Sequence, residues 1–281
     1  FLEKLMRLRP MPVVMVSTRT TEKSHDAVRA LALGAVDCVD LGSLRDGTSG
    51  IALASTVLMA AKRNPLHFSQ SIRTEAGVAT DFRWNGRTVL IGSSTGGVDA
   101  LMTVLSAYPV NGPPTVIAQH MPAAFLASFA DRLDRNIAPR VSLAKAGQAL
   151  ESGHVYLAAG GDDHVALSRA SPPRLKLVSQ VDEQYVPSVE VLMRSGEQHG
   201  PNDVGVMLTG MGRDGAQGML KMRNAGAHTI AQSGPSCVVD GMPKAARKIG
   251  AAIEVVTLEK IGASILQATS ITRANAQEVV S

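Results

Sequence analysis

Apolar and polar positions alternate between two spacings along most of the chain. Short continuous apolar runs recur at Pro12-Val13-Val14-Met15-Val16, at 36–39, at Thr88-Val89-Leu90-Ile91, at 115–118, at Val204-Gly205-Val206-Met207-Leu208 and at His228-Thr229-Ile230-Ala231. Their length and β-branched content predict buried strands. Between them, apolar residues spaced three and four apart predict helices over 2–7, 24–33 (stopped by Gly34), about 51–62, 97–107, 123–135, 188–199, 216–224, 242–248 and 258–267. Strand and helix in regular alternation predict an α/β fold built on a mostly parallel sheet, doubly wound in three layers.

Three stretches depart from that rhythm. Residues 63–84 mix Asn, Pro, Ser, Thr, Gly and both charges without a period, the composition of a linker. Around Gly160-Gly161-Asp162-Asp163, the apolar runs 155–159 and 164–167 predict a β-hairpin, with a further run at Arg174-Leu175-Lys176-Leu177. Short segments near 140–143 and 154–158 complete the expected strands, and 271–281 reads as a frayed tail. The expected domains are therefore 1–62, the linker 63–84, a larger domain 85–270 and the tail.

A chain of 281 residues is long enough for two such domains. The net charge of +4 is scattered, and only 3% of residues are aromatic, so nothing resembles a nucleic-acid footprint. No run of about 18 apolar residues occurs and no secretion signal opens the chain, which predicts a cytoplasmic protein without membrane insertion. Cys38 and Cys237 are far apart in apolar stretches and read as inert packed thiols rather than a disulfide or metal site. Helical spacing is already under way at Phe1, as in the middle of a longer protein.

The candidate chemistry lies just beyond the strands. Ser94, His120 and Asp214 each follow an apolar run, where strand-to-helix loops meet at the carboxyl edge of a parallel sheet. Gly92-Ser93-Ser94-Thr95-Gly96 has the G-x-S-x-G spelling of a nucleophile elbow. The same loop read alone is equally a phosphate cradle at a helix start, although neither the dinucleotide fingerprint nor the Walker sequence is present. His120, before Met121-Pro122, is either a general base for Ser94 or a capping group. Asp214, in Gly210-Met211-Gly212-Arg213-Asp214-Gly215, either orients that histidine or caps the next helix. His164 and His228 have no ligand spacing and read as structural. The order Ser, His, Asp differs from that of the α/β-hydrolases. A regulatory binding module without turnover is the competing class.

Taken together, Ile91-Gly92-Ser93-Ser94-Thr95-Gly96-Gly97, Gln119-His120-Met121-Pro122, Pro187-Ser188-Val189, Leu208 to Gly215 and Gly241-Met242-Pro243-Lys244-Ala245-Ala246 resemble the CheB protein-glutamate methylesterases of bacterial chemotaxis. The resemblance spans most of 8–265. It implies that Ser94 is the nucleophile, His120 the base and Asp214 its partner, with backbone amides at Thr95 and Met211 as oxyanion donors. The implied reaction is hydrolysis of γ-glutamyl methyl esters on methyl-accepting chemoreceptors, with deamidation of receptor glutamines beside it, and no cofactor takes part.

Residues 10–40 resemble the second half of a response-regulator receiver, a flavodoxin-like domain truncated here. Ser17 stands at the switch hydroxyl and Gly34-Ala35-Val36-Asp37 at the approach to the next strand. Leu41-Gly42 replaces the usual Lys-Pro, and the phosphoacceptor and acidic cluster fall before Phe1. Mg²⁺ and a partner histidine kinase are therefore expected only of an intact receiver. The resemblance also implies that an unphosphorylated receiver covers the cleft at Ser94.

Overall fold

The structure is a computed structural model and describes residues 1–17, 21–40, 53–54, 57–58, 60–61, 82–179 and 181–271. It opens with α1 (Leu2–Leu8), β1 (Val14–Ser17), α2 (Thr21–Ala32) and β2 (Asp37–Asp40). β1 and β2 pair in parallel, Val14 opposite Asp37 and Ser17 opposite Asp40, with α2 as the crossover. Most of the expected helix at 51–62, most of the expected linker and residues 272–281 lie outside the described residues, as does Leu41.

After Trp84 the chain forms β3 (Thr88–Ser93), α3 (Gly97–Leu105), β4 (Thr115–Gln119), α4 (Ala123–Asn136), β5 (Arg140–Leu143) and β6 (His154–Leu157). β7 (Asp163–Leu167), β8 (Leu175–Ser179), α5 (Val189–Gly196), β9 (Asp203–Met207), α6 (Ala216–Asn224) and β10 (His228–Gln232) follow, and α7 (Met242–Lys248), β11 (Glu254–Val256) and α8 (Leu258–Thr269) close the fold. One sheet of seven strands runs β11-β10-β9-β3-β4-β6-β5, and all its pairings are parallel. Trp84 bridges Ser270, and the Asn85 N–H donates to Thr269 O at 2.9 Å, so the two ends of this unit lie together.

The apolar runs are continuous because the central strands are covered on both faces. Val89 and Ile91 of β3 pack with Leu101, Val104 and Leu105 of α3, Phe125 and Phe129 of α4, and Ile261 and Ile265 of α8. Leu90, one residue out of phase, faces Val189, Leu192 and Met193 of α5 and Met219 and Met222 of α6. Each fully buried side chain of this size contributes about 1.5–3 kcal/mol through lost water contact. α2 adds Ala27, Val28, Ala30 and Leu31 to the first of these cores, against α3 and α4. Among the described residues no helix is long and apolar enough to cross a membrane.

The expected hairpin takes different partners. The run at 155–157 belongs to β6, buried on both faces within the parallel sheet, and the hairpin joins β7 to β8 with Asp163 opposite Ser179 and Leu167 opposite Leu175. The Gly160-Gly161 turn is a connection out of the sheet, with both glycines at positive φ. Cys237 lies outside the strands: it follows the 3₁₀ turn Gly234–Ser236 and is half-buried. β11 escaped the pattern because three residues, one of them Glu254, carry too little periodicity to register.

Candidate active site

β9, β3 and β4 lie side by side, and Ser93 pairs with Gln119 while Gly92 pairs with Met207. The chain leaves β3 toward β4 on one side and later returns on the other through β9 and β10. Loops diverging in this way open a crevice beyond the carboxyl ends of the strands. Ser94, His120 and the 208–215 loop all emerge at that edge.

The structure brings His120 and Asp214 together, with Nε2 to Oδ2 at 2.7 Å and side chains only 7% and 9% exposed. Asp214 also takes the Val189 N–H at Oδ2 (2.8 Å), and at Oδ1 the Glu190 N–H (2.9 Å) and the Ser188 hydroxyl (3.2 Å). It therefore caps a helix, but the helix is α5, more than twenty residues upstream, and not α6, whose start is the left-handed Gly215. Burial raises the Asp214 carboxyl. The His120 hydrogen bond and charge, with the two backbone N–H groups, outweigh it and hold the acid below its ordinary range.

An ionised Asp214 cannot donate, so the shared proton sits on His120 Nε2. That leaves Nδ1 of the neutral ring as its lone-pair nitrogen. Nδ1 is buried and has no hydrogen-bond partner among the described residues. The face of the imidazole stacks on Tyr185, with ring centroids 4.2 Å apart and planes 16° from parallel.

Ser93 and Ser94 separate clearly. The Ser93 side chain is fully buried and its hydroxyl donates to Gln119 Oε1 at 2.6 Å, whereas Ser94 is half-buried at the loop. Gln119 Nε2 donates to Ser94 O (2.9 Å) and to His120 O (3.1 Å), tying the two loops together. The Ser94 N–H donates to Thr209 O at 3.0 Å, and the Thr209 hydroxyl reaches Thr95 O at 3.0 Å. A Cβ on Gly210 would stand 2.7 Å from Ser94 Cβ, so only glycine lets this loop lie against the serine. Thr95 and Met211 thus flank Ser94 from two loops. No hydrogen bond joins Ser94 Oγ to His120 among the described residues; such bonds are often long until substrate is bound.

Gln119, Thr209, Ser188 and Tyr185 are site residues that sequence reasoning did not single out by role. A polar Gln ending the otherwise apolar β4 is the one local signal among them. His164 is fully buried, and its Nδ1 accepts the Ser188 N–H at 3.0 Å, behind the site rather than in it. His228 pairs with Glu254 at 3.1 Å on the sheet edge. Burial, with Asp240 nearby, pushes the Cys237 thiol up to about 12.

The N-terminal unit reaches the site as well. Asp37 Oδ2 accepts the Thr95 hydroxyl at 2.6 Å, and Oδ1 accepts the Cys38 N–H at 2.8 Å. Burial raises the Asp37 carboxyl, although both hydrogen bonds and His120 oppose this. Leu31, Ala35, Asp37, Ser94, Gln119 and Met121 line a small cavity between the unit and the loops. The Ser17 backbone ends β1, and its side chain lies outside the described ones.

Residues 89–265 match the CheB methylesterase family. A protein-glutamate methylesterase/protein-glutamine glutaminase of Caulobacter vibrioides is 49% identical over 97% of this chain and 81% of its own length. A protein of the same name from Rhizobium johnstonii is 48% identical over 96% of this chain and 79% of its own. The Thermotoga maritima CheB methylesterase catalytic domain superposes with a TM-score of 0.62 at 35% identity, covering 65% of this chain and 98% of that domain.

Proposed function

Since the chain belongs to the CheB methylesterase family, we propose that Ser94, His120 and Asp214 carry the reaction of a protein-glutamate methylesterase, a carboxylic ester hydrolase. The observation that supports these roles most is the His120–Asp214 pair, which puts the ring's free nitrogen on the side away from the carboxylate. Ser94 Oγ attacks the ester carbonyl of a γ-glutamyl methyl ester and passes its proton to Nδ1. The tetrahedral oxyanion is held by amides at Thr95 and Met211, each donor typically contributing about 10²–10³ in rate. The C–O bond then breaks, methanol takes the proton from Nδ1, and the glutamyl group remains on Ser94. Water attacks this ester with Nδ1 as base and releases glutamate and Ser94. Glutamine reacts by the same route with ammonia leaving.

The substrates in this reading are methyl-accepting chemoreceptors, on their cytoplasmic signalling helices. Three side chains and two amides fill every role, so catalysis uses no cofactor. The N-terminal unit, read as part of a receiver, restrains the site; the Asp37–Thr95 hydrogen bond supports this, since it fastens the unit one residue from the nucleophile. A histidine kinase would act through the intact receiver.

Methanol release from carboxyl-methylated receptor membranes tests the assignment. The chain is expected to release methanol, and Ser94→Ala to fall to background while unfolding at the same temperature. Release retained by Ser94→Ala overturns the nucleophile; no release from the unaltered chain overturns the activity.

A further inference from the structure

We infer that Tyr185 is a positioning residue for the general base: its ring backs the face of His120, holds the imidazole in its working rotation, and favours the cation formed during attack. The inference rests on the reading of His120 as the base and assigns a second support to it.

Two constraints meet on His120. Asp214 holds the ring in its plane through Nε2 at 2.7 Å, a single contact that leaves rotation about that hydrogen bond free. Tyr185 supplies the missing one, since a ring stacked 16° from parallel at 4.2 Å blocks the tilt. Both come from one short segment: Tyr185 stacks on the histidine, and Ser188, Val189 and Glu190 grip the carboxylate. Residues 185–190 thus fix both members of the pair, and Pro187 and Ser188 are buried.

Timing makes the stacking catalytic in effect. The imidazole is neutral when substrate binds and becomes imidazolium as Ser94 or water attacks. An aromatic face attracts the cation by about 0.5–2 kcal/mol and the neutral ring less. An interaction stronger in the transition state raises kcat and leaves KM alone. The phenol is itself raised by burial and by Asp214, so Tyr185 presents an uncharged ring.

The test compares Tyr185→Phe, Tyr185→Leu, Ser94→Ala and His120→Gln in the full chain, by steady-state methanol release from carboxyl-methylated receptor membranes. Tyr185→Leu is expected to lower kcat about 2- to 30-fold with KM within about twofold, from the range just given. Tyr185→Phe is expected to stay within about twofold of the unaltered chain. In NMR spectra the His120 ring C–H signals should lose their ring-current displacement in the Leu variant and keep it in the Phe variant, a readout that does not depend on turnover. An unchanged kcat in Tyr185→Leu, a loss carried by KM alone, or a Phe variant as slow as the Leu variant overturns the inference. If Ser94→Ala and His120→Gln are inactive and Tyr185→Leu keeps the full kcat, the positioning role alone fails. If His120→Gln keeps its activity, the reading of the base fails first.

Discussion

Asp203 is expected to make the protein less stable as pH rises, and Asp203→Asn to remove that dependence. The residue opens β9 opposite Thr88, at the end of the strands remote from Ser94. It is 1% exposed, and neither carboxylate oxygen has a hydrogen-bond partner among the described residues. An isolated buried carboxylate is strongly disfavoured, so burial pushes the acid from its ordinary 3.8 up to about 8. The folded chain then holds a proton that the unfolded chain gives up above pH 3.8. Stability attributable to this group is whole below pH 3.8, falls between 3.8 and about 8, and is level beyond. At about 1.4 kcal/mol per pH unit, the loss reaches a ceiling of about 6 kcal/mol above pH 8 and about 4 at pH 7. An asparagine of the same shape stays neutral throughout. Urea unfolding followed by the fluorescence of Trp84, the single tryptophan, measures both chains. The stability gap in favour of Asp203→Asn should widen by about 4 kcal/mol from pH 5 to pH 9. A gap that moves by less than about 1 kcal/mol over that range would refute the isolated buried acid.

Two further outcomes follow from the site. Asp214→Asn keeps the shape but lets the amide nitrogen face Nε2 or the α5 amides, so methanol release should fall about 10⁴-fold, as for other triads whose tautomer is lost; a loss under tenfold would show that His120 does not depend on the carboxylate. A chain beginning at Asp81 should release methanol faster than the full chain, and Asp37→Ala should recover part of that difference. Because the Asp37 acid is raised when packed against Thr95, packing is favoured at low pH and weakens as pH climbs above 3.8 through the raised value. The rate of the full chain relative to the short one should therefore rise with pH, and stay flat in Asp37→Asn; equal rates for both lengths at every pH would remove the restraint.

The fold class, and the place of Ser94, His120 and Asp214 at one edge of the sheet, were legible in the sequence. Continuous apolar runs of strand length suit strands covered on both faces, and the loops that follow such strands emerge at one edge of a parallel sheet; Ser94, His120 and Asp214 stood out as polar residues in those loops. Local pattern also carried α3, whose Val98, Leu101, Val104 and Leu105 mark one helical face. Tertiary structure alone decided which groups meet. It paired β7 with β8 rather than with β6, because the buried run at 154–157 suits a place inside the sheet better than in a two-stranded ribbon. It turned Asp214 toward the start of α5 instead of α6, joined Thr209 to Thr95 across 114 residues, laid Tyr185 on His120, and brought Asp37 to Thr95 across 58. Periodicity reports how deeply a position is buried and with what repeat. It is silent on the partner, which is chosen when faces distant in the chain close over one another and each buried polar group must find its hydrogen bond there.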